Sequence, residues 1–183
     1  MKRIAVITGA GGALGRVVTG QFEQAGYQVV PVRGVDLSNP AEAQRVLDEA
    51  GAFNVVVHLA GGFEMGSSDE AWHKLIQMNI LAAVPILREG ALRLAGRGGG
   101  HIVAIGAAGA EARVPGMAAY VATKAALHAF IEVLAKEVAG DRVFVNAVLP
   151  GTIDTDEKRA VVGAALLELV QADSTVSGLL RKV

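Results

Sequence analysis

The sequence predicts an α/β protein with a doubly wound parallel sheet of about six strands and helices on both faces. Two observations carry this. Short runs of Val, Ile and Leu alternate with helical patterns along all 183 residues, and near-continuous apolar runs mark strands buried on both faces of a parallel sheet. A glycine-rich turn, "TGAGGALG", also ends the first apolar run and opens the first helical pattern. The composition agrees. With 52% hydrophobic residues, 23 glycines and only 4% aromatics, the core must be packed from small aliphatic side chains.

Taken in order, "RIAVIT" places a strand at 3–8 and the pattern after the glycines a helix at 13–25. "YQVVPV" gives a strand at 27–32, and "SNPAEA" starts a helix over 40–50. A strand at 54–59 leads to a long helix at 69–95, and "GRGGG" (96–100) is a loop before the strand at 101–106. A second long helix at 116–139, a strand at 143–149, a helix at 156–171 and a strand at 179–183 complete the chain. Between Val32 and "SNPAEA" lie only a few residues. Adjacent parallel strands need a crossover of about a dozen or more residues, so Val35–Asp36 is no separate strand. The expectation is six strands in a single domain spanning 1–183, with one peripheral strand–helix unit trimmed away.

The totals exclude several classes of function. A net charge of −1 offers no basic face for nucleic acid or anionic lipid. Cysteine is absent, which removes disulfides and thiolate metal sites. The four histidines form no HExxH or closely spaced pair, so no metal is expected. The apolar stretch before Gly9 is too short for a signal peptide, and no apolar run is read as long enough to span a bilayer. The expectation is a soluble, cytoplasmic protein without nucleic-acid or membrane partners.

The glycine turn suits a nucleotide. Gly9, Gly11, Gly12 and Gly15 let the backbone turn tightly and approach a pyrophosphate, which the free N–H groups of the next helix would hold. The spacing is imperfect, because Leu14 stands where G-x-G-x-x-G has its third glycine, and no Gly-Lys-Ser/Thr supports a P-loop. In such a Rossmann-like unit an acid after the second strand suits NAD, and an arginine suits the 2′-phosphate of NADP. Arg33 occupies that place, with Asp36 the nearest acid, able to reach the ribose or adenine. The reading favours NADP and leaves NAD open. A solvated strand-end arginine is the plain alternative.

Tyr120 and Lys124 in "AAYVATKAAL" share one helix face at i and i+4. A nearby ammonium favours the phenolate and would lower the phenol pKa from about 10. The phenol could then give a proton to a carbonyl oxygen as hydride arrives. From spacing alone, a surface Tyr–Lys pair fits equally.

Several motifs, in order and at compatible spacing, resemble the short-chain dehydrogenase/reductase family. "TGAGGALG" resembles its TGxxxGxG loop, with Ala13 where many members carry glycine. "HLAGG" resembles the NNAG stretch, with His58 and Leu59 replacing the asparagines, so that Ala60, Gly61 and Gly62 would serve by backbone. "MNI" carries Asn79, which the resemblance makes a structural and proton-relay residue. "YVATK" resembles YxxxK, which assigns Tyr120 as proton donor and Lys124 as pKa modifier and ribose holder. "LPGTIDT" resembles PGxxxT, so that Pro150, Gly151, Ile153 and Thr155 would meet the nicotinamide end. "GALG", "AGGF", "PGMAAYVATKAALH" and "AVLPGTIDT" resemble the quinonoid dihydropteridine reductase type most.

The resemblance implies an NAD(P)-dependent reductase acting on a small planar substrate, dihydropterin-like, or on a small carbonyl compound. Ala107 stands where most of the family carries a serine, thirteen residues before the tyrosine. Dihydropteridine reductases also lack that serine. Thr155 leads almost directly into the last helix, which leaves little or no substrate lid. Both departures admit an alternative, an NAD(P)-binding sensor or scaffold without turnover. Phe63 and Met65 follow "AGG" at the ligand-binding edge, where Phe63 would stack on a planar ring or simply pack. The helices 69–95 and 116–139 are alanine-rich and apolar, and the resemblance pairs them into a homodimer or homotetramer.

Overall fold

The computed structural model describes residues 2–66, 68–171 and 173–183. Six parallel strands form one sheet in the order β2-β1-β3-β4-β5-β6. They are β1 (Ile4–Thr8), β2 (Gln28–Val32), β3 (Val55–His58), β4 (Gly100–Ile105), β5 (Val143–Leu149) and β6 (Leu180–Lys182). The helices are α1 (Ala13–Gln24), α2 (Pro40–Ala50), α3 (Asp69–Ile76), α4 (Val84–Ala95), α5 (Gly109–Ala112), α6 (Ala118–Glu137) and α7 (Asp156–Leu169). This is the expected doubly wound sheet of six strands. Val35 and Asp36 form no strand; they lie in the short connection to α2.

Strand alternation divides the core in two. Val6, Val56, Ile102 and Val145 face α2, α4 and α6, where they meet Leu47, Leu87 and Ile131. Ile7, Val57, Val103 and Val148 face α1 and α7, where they meet Val18, Phe22 and Leu166. Each fully buried Leu, Ile or Phe of these layers contributes about 1.5–3 kcal/mol by leaving water. The chain order reverses between β1 and β3, which opens a crevice beyond their C-terminal ends. Thr8, His58 and Ala104 lie in register there, so the loops after β1, β3 and β4 emerge side by side.

The long helix expected at 69–95 is interrupted. A π-helical turn, Gln77–Leu81, separates α3 from α4, and the N–H of Ala82 reaches back to Gln77 O at 3.0 Å. Pro85 explains part of this: without an N–H it cannot close the α-helical bond to Leu81. The widened turn carries Asn79 inward, where it is buried. The reading that no apolar run is long enough for a bilayer also needs correction. Asp69–Ala95 and Ala118–Glu137 reach a mean hydropathy of 1.3 over an 18-residue window, enough by length and composition. In this fold their apolar faces pack on the sheet, through Ile86, Leu87, Leu127 and Ile131.

Candidate active site

The glycine loop is built by close backbone contacts. Gly9 has φ +68°, and a Cβ there would lie 2.7 Å from Ala60 N. A Cβ on Gly15 would overlap Gly9 O and lie 2.7 Å from Ala10 Cα, so only glycine lets α1 seat against the turn. Gly11 and Gly12 are different: both are exposed, and a Cβ on either would meet no atom closer than 3.4 Å. The loop therefore presents bare backbone to solvent. Helix α1 begins at Ala13 with Gly12 as N-cap and no side-chain cap, which leaves its first N–H groups for an anion. Ala13 sits in the helix itself, where its methyl is tolerated, and Leu14 packs into the α1/α7 layer. The Arg33 stem lies along Gly11, 3.7 Å from its would-be Cβ. Arg16, which the sequence reading missed, donates to Gly11 O at 2.9 Å and adds a second cation beside the loop. Its i+5 spacing from Gly11 was the available signal. Asp36 accepts from Ser38 N and Oγ at 3.1 and 2.6 Å, so one of its oxygens is held in the turn before α2. This bare, cation-flanked helix start fits the pyrophosphate of a dinucleotide.

The residues expected to transfer a proton converge at the neighbouring loop. Asn79 Oδ1 accepts from Gly62 N at 2.9 Å, and its Nδ2 donates to Gly62 O at 3.1 Å and Thr123 Oγ1 at 3.2 Å. The hydroxyl of Thr123 in turn donates to Tyr120 O at 3.0 Å, linking Asn79 to the helix turn that bears the phenol. Lys124 Nζ donates to Ile105 O at 3.1 Å. A Cβ on Gly61 would lie 2.9 Å from Asn79 Oδ1 and 3.3 Å from Lys124 Nζ, so Gly61 sits over both. Burial pushes Lys124 down to about 8. Tyr120 moves up, not down as the i+4 spacing led one to expect. Desolvation by burial is its cause. Phe63 contributes to this surround: its ring meets Tyr120 edge to face at 4.9 Å, while remaining 58% exposed. Nothing in the sequence marked that contact.

The remaining residues close the edge. Ala60 N reaches Thr8 Oγ1 at 3.4 Å, and that hydroxyl pairs with His58 Nδ1 at 2.9 Å. His58 is buried and its pKa falls to about 3, mainly by desolvation, so it is neutral at ordinary pH. Ala108 N donates to Pro150 O at 3.0 Å, and Gly151 N to Val183 O at 3.3 Å. Ile153 packs against the α1/α7 layer. The Thr155 hydroxyl caps α7, accepting from Lys158 N at 3.3 Å. The β1, β3, β4 and β5 loops thus meet at one edge. Among the described residues no cluster could hold a metal ion.

The family model for short chain dehydrogenases matches residues 32–164. The chain belongs to that family. It is therefore an NAD(P)-dependent oxidoreductase of the short-chain type. It is 28% identical to a short-chain type dehydrogenase/reductase of Picea abies, over 84% of this chain and 72% of that one. It is 29% identical to 2,3-dihydro-2,3-dihydroxybenzoate dehydrogenase of Escherichia coli, over 85% and 71%. The 3-oxoacyl-(acyl-carrier-protein) reductase of the same bacterium is 28% identical, over 87% and 77%. Among solved structures, ElxO with NADP bound superposes with a TM-score of 0.91 at 19% identity, covering 100% of this chain and 97% of that one. Acetoin dehydrogenase from Enterobacter cloacae gives 0.91 at 19%, covering 100% and 95%. At such identity these two establish the fold alone.

Proposed function

We propose that this short-chain dehydrogenase reduces a small planar substrate, a quinonoid dihydropterin-like or small carbonyl compound, with Tyr120 as proton donor. The observation that carries this is the convergence of Tyr120, Lys124 and Asn79 beside the bare glycine loop at one sheet edge. Bound NAD(P)H supplies the hydride. The chain holds the cofactor through Gly9–Gly15 and the α1 N-terminus, with Ala60–Gly62 and the 150–155 segment closing the site. Arg33 favours NADP, because its stem lies on Gly11, within reach of a ribose phosphate. Asp36 keeps one carboxylate oxygen for the ribose or adenine.

Tyr120 stays protonated at neutral pH, since burial raises its pKa. It would give its proton to the substrate oxygen or nitrogen that gains electron density as hydride reaches the other end of the reduced double bond or conjugated system. That end is the carbon of a carbonyl compound, or a ring nitrogen of a quinonoid pterin. Lys124, held near 8, can return a proton to the phenolate without a large energetic step. Asn79 holds Gly62 and, through Thr123, the first turn of α6. Ala107 offers no hydroxyl, which suits a conjugated imine that accepts hydride without a further donor. Phe63, on the Tyr120 ring, and Met65, beside Gly116, are both exposed and would give the mouth of the site an apolar rim for a flat ring.

The full chain is read as one catalytic domain that works as a homodimer or homotetramer. Supporting this, α6 exposes Ala122, Ala125, Ala126, Ala129 and Val133 on one face, and α3 and the π turn expose Ile76 and Leu81. The missing serine favours a second reading, an NAD(P)-binding sensor of the same fold. NADPH oxidation with quinonoid dihydropterin separates the two. Tyr120→Phe is expected to lower kcat by about 10²–10⁴ with cofactor affinity unchanged. Equal rates in the two proteins would remove the phenol from the reaction, and no oxidation by either would favour the sensor.

A further inference from the structure

Helix α6 uses two side chains, one turn apart, to grip the backbone at the end of β4. Lys124 Nζ donates to Ile105 O at 3.1 Å, and His128 Nε2 accepts from Ala107 N at 3.2 Å. Between them, Gly106 N donates to Val148 O at 2.9 Å, and a Cβ on Gly106 would overlap both His128 and Leu149. The turn bearing Ala107 is therefore held by Val148 O, by His128 and, through Ala108, by Pro150 O. Of these bonds, that of His128 is the one made by a side chain.

We propose that His128 is a positioning residue: as a neutral imidazole it clamps the Ala107 turn to α6 and so fixes the gap between that turn and Tyr120. The bond itself sets the protonation state. An N–H donor requires a lone pair on Nε2, so the ring proton sits on Nδ1 and the imidazolium cannot make the bond. The surroundings agree in direction. Burial and the Lys124 charge lower the His128 pKa, while Glu111 of α5 and Glu132 of α6 oppose them. Lys182 of β6 pairs with Glu111 and weakens its pull, and the apolar Leu149 of β5 lies beside the ring at Gly106. Ala107 has no hydroxyl with which to anchor its own turn. The catalytic consequence rests on the reading of Tyr120 as proton donor; the clamp itself does not.

The test has two parts. In the cofactor-free protein, imidazole ¹⁵N NMR should report the Nδ1–H tautomer of His128 at pH 7, and Ala107 should exchange its amide slowly. His128→Leu should speed that exchange at least about tenfold, the loss of one buried hydrogen bond. In His128→Gln the Oε1 atom takes the acceptor's place and should restore slow exchange. In NADPH oxidation, His128→Leu should lower kcat about tenfold with NADPH affinity held within about twofold, and His128→Gln should recover most of it. The wild-type kcat should also fall on the acid side as His128 protonates, and His128→Gln should lack that limb. An Nε2–H tautomer, an unchanged Ala107 exchange rate in His128→Leu, or a glutamine variant as impaired as the leucine one would overturn the clamp. If the wild-type protein oxidises no NADPH, the proposed reaction fails, while the NMR and exchange results still judge the clamp.

Discussion

Replacing Lys124 by methionine should stabilise the fold near neutral pH while abolishing turnover. The lysine is 5% exposed, and burial lowers its pKa from 10.5 to about 8. Below pH 8 it is charged in both the folded and unfolded chain, so the fold carries the whole cost of desolvating an ammonium. The gap between about 8 and 10.5, at about 1.36 kcal/mol per pKa unit, makes that cost about 3 kcal/mol. It is relieved as pH rises from 8 to 10.5 and is absent above. Methionine keeps a flexible apolar stem of similar length without the charge. It also loses the bond to Ile105 O, worth about 1 kcal/mol. The net expectation at pH 7 is a gain of about 2 kcal/mol, or roughly 4–8 °C in Tm for a domain of this size. By pH 10.5 only the lost bond remains, and the variant should be about 1 kcal/mol less stable than its parent. Urea unfolding of both proteins without cofactor, at pH 7 and pH 10.5, measures this; other titrations largely cancel in the difference. A Lys124→Met protein less stable than its parent at pH 7, or an advantage independent of pH, would refute the reasoning. Either result would mean that the fold satisfies the ammonium.

Gly15→Ala should cost about 3 kcal/mol or more, since its Cβ would press on the backbone of Gly9 and Ala10 and cannot be relieved by a rotamer change; urea unfolding measures the loss, and near-native stability would contradict it. Arg33→Ala should weaken NADPH binding about 10–100-fold and leave NADH unchanged, as the loss of a charge-assisted contact predicts; calorimetric titration of both cofactors decides. Ala126→Glu places a carboxylate on the exposed apolar face of α6 and should convert an oligomer to monomer in sedimentation, with the far-UV spectrum unchanged.

Much of the fold and of the candidate site was legible because its signals are local. The strand runs, the glycine turn, the i and i+4 spacing of Tyr120 and Lys124, and the short connection after Val32 each lie within a few residues. β5 and α2 fall at their expected bounds. What escaped depends on neighbours distant in sequence. The π turn that carries Asn79 inward breaks a pattern that reads as one continuous helix. Phe63 reaches Tyr120 across 57 residues, and His128 finds the Ala107 amide across 21. Thr155, expected at the nicotinamide, serves as the N-cap of α7.

By itself the sequence determined the family, the six-stranded parallel sheet and the edge at which the loops gather, because hydrophobic period and glycine placement are encoded residue by residue. Only the tertiary structure decided the electrostatics. Spacing puts an amine near a phenol and so argues for a lowered phenol pKa. Packing instead raises that pKa and brings the amine down to about 8. Desolvation is a sum over every group that displaces water, drawn from several strands and helices at once, and no stretch of sequence contains that sum.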